Sequence, residues 1–161
     1  MALSVPLSGF TPRVGGGSAF FVRPLAHAMK IFHLSEPKHG WIDVTFGAPP
    51  DTFTQTVSDV PNDCLRDLAA ATARLLRHSS HEVVEFSLEP AFMSCELHRE
   101  SDSVRVVLKH PDHDGAAFEA SFPLQAFARR VRFELLRIQP RYSIEGGWTQ
   151  PFPEHEVANL A

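Results

Sequence analysis

No aspartate or glutamate occurs before Glu36, the chain holds only two cysteines and one tyrosine, and no apolar run approaches the roughly 18 residues that span a bilayer. Each shortage excludes something. Cys64 and Cys95 form neither a CxxC pair nor a zinc-ligand spacing, so a disulfide framework and a cysteine zinc cluster are excluded, and buried reduced thiols in a cytoplasmic setting are expected. The lack of a long apolar run excludes a membrane-spanning helix from the expectation. GxSxG, the P-loop, GxGxxG and HExxH are all missing, so no activated serine, phosphate cradle or zinc-protease helix can be read, and no cofactor is expected.

The gap in acids divides the chain. Arg13, Arg23 and Lys30 precede Glu36, so residues 36 to 161 carry all 19 acids against 12 bases, a net charge of −7 within an overall −4. That balance favours solubility and a basic partner, and argues against nucleic acid. Residues 1 to 28 contain Gly15-Gly16-Gly17, three prolines and no periodic pattern. They are expected to be disordered or to precede a true start at Met29, because the glycines and Arg23 interrupt any signal-peptide core.

What is present is core material. Hydrophobic residues make up 43% of 161 positions and include 13 phenylalanines, enough for one globular domain over residues 29 to 140. "WIDVTF" (41 to 46) alternates Ile42, Val44 and Phe46 with polar neighbours, and residues 52 to 58 place Phe53 and Val57 on one side, which predicts a hairpin. Residues 59 to 78 change period: Leu65, Leu68, Ala69, Thr72, Leu75 and Leu76 recur at helical spacing, with Asp59 or Asn62 as the expected cap and Arg74, Arg77 and His78 at the end.

Four strands follow, over 82 to 88, 92 to 99, 103 to 109 and 116 to 122. Keeping apolar residues on one face sets Val84, Phe86 and Leu88 opposite Leu97, Cys95 and Met93. It then pairs Leu97 with Val106, Cys95 with Leu108, Leu108 with Phe118, Val106 with Ala120 and Val104 with Phe122. A final helix from Pro123 to Ile138, with Ser121 as a cap, buries Leu124, Phe127, Ala128, Val131, Leu135 and Ile138. The predicted fold is α+β, an antiparallel sheet made of a hairpin plus a four-strand meander with two amphipathic helices on one face. Residues 141 to 161 are expected to be an irregular tail packed on the domain.

This register places Glu85, Glu96, Val107 and Glu119 in one outer row, with His98 and Arg105 beside it and Ser94 and Lys109 on the other side. Glu85 facing Glu96 is a like-charge pair that needs a cation, and Arg105 and Lys109 are the candidates. Glu85, Glu96, Glu119 and Arg105 are therefore the candidate partner-binding residues. On the last helix, Phe133, Leu136 and Arg129 point away from the buried stripe, so the tail with Tyr142, Trp148 and Phe152 is expected to cover them; a partner or homodimer contact is the alternative. Arg129, Arg130, Arg132, Arg137 and Arg141 make this region the one basic patch. "HPDHDG" (110 to 115) reads as a turn ending at Gly115 rather than a metal loop, and if any metal site existed it would involve His110 and His113.

The order of "WIDVTF", a hairpin, "SDVPNDCLRDL", "VEFSLEP", the meander and "FARRVRFELLRI" resembles a diffuse group of small bacterial proteins that includes immunity proteins of toxin systems. The resemblance covers roughly residues 38 to 140 and is one of layout, without a diagnostic motif, so no residue role carries over. It implies a non-enzymatic binding protein that occupies a toxin's working surface with acidic groups. The rival expectation is a small metal- or carboxylate-dependent enzyme built on His98, Glu96, His110 and His113.

Overall fold

The structure, a computed structural model, describes residues 31 to 161. The expectations for residues 1 to 28 and for a start at Met29 lie outside the described residues. The described residues form seven strands: β1 (Phe32–Leu34), β2 (Trp41–Ala48), β3 (Asp51–Ser58), β4 (His81–Ser87), β5 (Phe92–Glu100), β6 (Ser103–Lys109) and β7 (Phe118–Pro123), of which β2 to β7 follow the alternating patterns. The helical periods give α1 (Cys64–Arg77) and α2 (Leu124–Ile138), and a short α3 spans Glu154–Ala158. All seven strands lie in one antiparallel sheet in chain order, so the fold is α+β. Among the described residues no helix is long and apolar enough to cross a membrane.

The apolar parity of each strand decides what is inside. Val44, Phe46, Val84, Phe86, Cys95, Leu97, Val106 and Leu108 are buried together with Leu65, Leu68, Leu75, Phe127, Val131 and Leu135 of the two helices. Each such side chain contributes about 1.5–3 kcal/mol on leaving water. Phe46 lies 6.4 Å from both Phe86 and Phe118, ring centre to ring centre, so the sheet curls until β2 and β7 touch. Cys64 and Cys95 are buried and unbridged, and burial pushes both thiols up from their ordinary range.

Strand β1 has only three residues, too few to show a period, and sequence reasoning passed over it. It pairs with β2 on one side, and its free edge is met by α2 instead of another strand. Arg130 Nε donates to the Phe32 carbonyl at 2.8 Å, the Leu34 N–H donates to Glu134 at 3.2 Å, and Arg137 donates to the Leu34 carbonyl. Glu134 is buried between Arg130 (2.6 Å) and Arg137 (2.8 Å), one helical turn to either side, and His33 approaches it at 3.2 Å. Two of the five arginines expected to form an open basic patch are thus tied to a buried carboxylate and the edge of β1.

Three local expectations need correction. The N-cap of α1 is Asp63, which accepts from the Arg66 N–H at 3.3 Å, while Asp59 and Asn62 hold other parts of the chain. Ser121 does not cap α2; the Leu124 N–H donates to the Asp102 carbonyl at 2.8 Å. The tail is not irregular throughout. A 3-10 turn over Gln139–Arg141, a bridge between Tyr142 and Trp148, and α3 carry it across α1.

The tail's destination also differs from the expected one. Trp148 is fully buried and donates to Asp63 at 3.1 Å, and Thr149 N–H donates to the buried Asp59 carboxylate at 2.7 Å. A Cβ at Gly147 would come within 2.2 Å of the Arg141 carbonyl, so only glycine fits the turn that delivers Trp148. Val157 and Leu160 are buried, α3 lies on α1, and Arg77 bonds Asn159. Phe133 and Leu136 stay exposed, at 54% and 37%, with Arg130 over the Phe133 ring at 5.0 Å.

Candidate binding surface

The outer face of the meander arises from the polar half of the same alternation. Strands β5, β6 and β7 pair as predicted: Leu97 with Val106, Cys95 with Leu108, Val106 with Ala120, Val104 with Phe122. Strand β4 is slid by two residues. Val84 faces Cys95 and Phe86 faces Met93, where Leu97 and Cys95 were expected. The cause is a tighter turn: the Leu88 N–H donates to the Ala91 carbonyl at 2.8 Å, and Glu89 bends the chain with φ of 42°, a conformation more typical of glycine or asparagine. A slip of two keeps every side chain on its expected face and changes only its neighbours.

Those neighbours alter the site. Glu85 now faces Ser94, so the expected Glu85–Glu96 repulsion does not exist. The central row is Val83, Glu96, Val107 and Glu119; beside it run His81, His98, Arg105 and Ser121. Glu96 receives Lys109 Nζ at 2.5 Å and His98 Nε2 at 3.3 Å, and the Lys109 hydrogen bond holds its carboxyl below the ordinary range. Glu119 meets Arg105 at 3.2 Å, and Arg105 also binds Glu100 at 2.7 Å. Two of the three candidate glutamates are therefore compensated within the face.

Glu85 is different. Among the described residues, no lysine, arginine or histidine lies within ion-pair distance of it or of Asp67. Both line a groove of about 420 Å³ between α1 and β4, together with Pro61, Ala70, Val83, Phe92 and Arg74, whose guanidinium is engaged by Glu82 at 2.6 Å. The groove exists because β3 meets β4 at a single pair, Ser58 with Ser87. Beyond that pair no strand among the described residues covers the edge of β4.

Hydrogen bonds from Leu88 to Ala91 and from Arg99 to Ser80 fix the alternation, in which even residues of β4 bond β5 and odd ones point outward. The Glu85 carbonyl is taken by Asn62 Nδ2 at 2.9 Å, which is where the expected helix cap goes instead. Val60, Val83 and Phe92 are 47%, 50% and 40% exposed. Val83 and Phe92 line the groove, and Val60 adjoins Pro61 in its wall. Sequence reasoning missed this surface because no pattern shows where a sheet opens between two strands; the signal in the sequence is an apolar Val83 at an outward parity position.

The histidines sort into two groups. His110 and His113 sit in the loop before β7, rings 5.4 Å apart, and the Asp112 N–H donates to His110 Nδ1 at 3.2 Å. Gly115 ends this loop with φ of 83°, the conformation the turn reading requires. His98 instead stacks on His81, ring centres 4.4 Å apart, with Glu96 beside them. Among the described residues these three are the only close group of three metal-ligating side chains, and His110 and His113 do not belong to it. Arg129, at the exposed end of the Phe133 patch, makes no ion pair among the described residues. Searches for similarity found no matching family model, curated protein or solved structure.

Proposed function

We propose that this chain is a non-enzymatic binding protein that takes a basic, apolar-flanked segment of a partner protein into the groove between α1 and β4. One observation carries this reading: exposed Val83 and Phe92 surround Glu85 and Asp67, two acids without an ion-pair partner among the described residues, at a strand edge that no described strand covers beyond Ser87. Exposed apolar groups give such a site its affinity, while unpaired acids select the sign of the partner's charge. The free backbone groups of odd β4 residues can accept an extended chain by strand addition.

The resemblance of the sequence's layout to immunity proteins of toxin systems supports the same reading, in which a bacterial, cytoplasmic chain covers a toxin's basic surface. Glu96 stands opposite Val83 across β4 and β5 and so borders the groove, while Arg105 and Glu119 lie two and three strands away on the same face. The test uses a partner captured with the tagged chain, purified, and titrated against it by calorimetry. Glu85→Lys is expected to weaken binding about tenfold or more, some 1.4 kcal/mol, and raised salt is expected to weaken it further. Binding that ignores both Glu85→Lys and Val83→Asp would place the partner elsewhere and overturn the proposal.

A further inference from the structure

We propose that His81, Glu96 and His98 form a binding site for a divalent transition-metal ion, zinc or its neighbours, on the outer face of the meander. The site follows from the register. His81 faces His98 across β4 and β5, and the hydrogen-bond alternation makes theirs a non-bonded pair, the kind in which opposite side chains stand closest. Their rings lie 4.4 Å apart, and Glu96 projects from the same face two residues along β5.

The donor set suits borderline cations: two imidazoles and one carboxylate are a ligand combination that open zinc sites use, with a further position left for water or another donor. Distances fit as well. All three residues present ligand atoms within 4.8 Å of one another. His98 Nε2 and Glu96 Oε2 are 3.3 Å apart, and two ligands of a tetrahedral ion with bonds of about 2.0–2.1 Å lie about 3.3 Å from each other.

Closing the site requires the stacked His81 ring to turn so that its lone pair converges with that of His98. His81 is exposed, and the turn gives up its stacking on His98. Lys109 does not occupy the same atom, for it binds Oε1 of Glu96 while Oε2 faces His98. Its positive charge does oppose a cation one carboxylate away, which makes Lys109 a useful control.

The site is tested on the full chain, freed of any affinity tag and of chelator, by titration with zinc chloride. One equivalent is expected to bind, magnesium is expected not to, and His81→Gln and His98→Gln are each expected to weaken zinc about tenfold or more. Lys109→Met is expected to tighten it, and His110→Gln and His113→Gln to leave it unchanged. A copper(II) titration followed by amide NMR is expected to broaden signals of His81, Glu96 and His98 first. His81, Lys109 and His113 are exposed and His98 and His110 half-buried, and unchanged melting without metal confirms that each variant is folded. Failure of the intact chain to bind zinc stoichiometrically, binding that survives the double His81→Gln, His98→Gln variant, or broadening centred on other residues would each overturn the proposal. None of these outcomes depends on the partner groove, which Glu85→Lys reports separately.

Discussion

Glu134 is an acid in the buried face of a helix, and it is there because it has company. Burial opposes its ionisation, yet hydrogen bonds from Arg137 and the Leu34 N–H and the charge of Arg130 outweigh that cost and hold its carboxyl below the ordinary range. Removing one member of such a group leaves the others uncompensated. Glu134→Gln is therefore expected to lower the stability by about 3 kcal/mol, the low end for buried pairs because both arginines are partly exposed, read from the urea midpoint.

The pH dependence has a definite sign. A carboxyl lowered by folding gives its stability in full above the unfolded value of about 4.3 and loses it as pH falls through the folded value. The wild-type chain is expected to lose urea resistance progressively below about pH 4.3, and Glu134→Gln to flatten that part of the profile. The pattern Arg130, Glu134, Arg137, an acid on the apolar stripe with arginines four before and three after, was legible in the sequence. It was passed over because an open basic patch explains the same arginines until β1 supplies carbonyls for them.

At the scale of elements, the tail and α2 make opposite predictions. Trp148 is fully buried against α1 and bonded to Asp63, so Trp148→Ala is expected to cost about 3–5 kcal/mol. Phe133→Ser removes a side chain that is mostly in water and stacked only by Arg130, so its cost is expected to be about 1 kcal/mol or less. Thermal melts of the two variants check both. If Phe133→Ser proves as costly as Trp148→Ala, some cover lies over Phe133, and sedimentation at several concentrations would distinguish a second copy from another segment.

The helices and the meander from β5 to β7 were readable because a period-2 pattern admits one parity and their hairpins fix the register. The position of β4 was not. Shifting it by two residues leaves every face unchanged, so the deciding fact is the turn at Glu89, a residue whose type does not announce a positive φ. That slip created the His81–His98 pair and dissolved the Glu85–Glu96 pair.

For the molecule as a whole, the sheet is continuous in order but uneven in attachment. β5 and β6 are paired along most of their length on both sides, while β3 and β4 share one pair. Hydrogen exchange should show this directly, with amides of β5 and β6 among the slowest and those of Val83 and Glu85 exchanging well before that of Val84. Equal protection of Val83 and Val84 would mean that the groove edge is closed. The α+β architecture followed from periods and parity in the sequence. The groove depends on where two strands part, a property of chain packing that no local pattern encodes.

The contact between α2 and β1 has one more consequence, for how the chain behaves in concentrated solution. An outermost strand normally offers its unpaired backbone to any passing strand, and this is how folded proteins begin to polymerise. Here Arg130, Glu134 and Arg137 stand where that strand would lie and use up the Phe32 carbonyl and both backbone groups of Leu34. Helix α2 thus stops sheet growth at the β1 edge, and light scattering of a Glu134→Ala variant, which frees the Leu34 N–H, should reveal growing aggregates before it reveals unfolding.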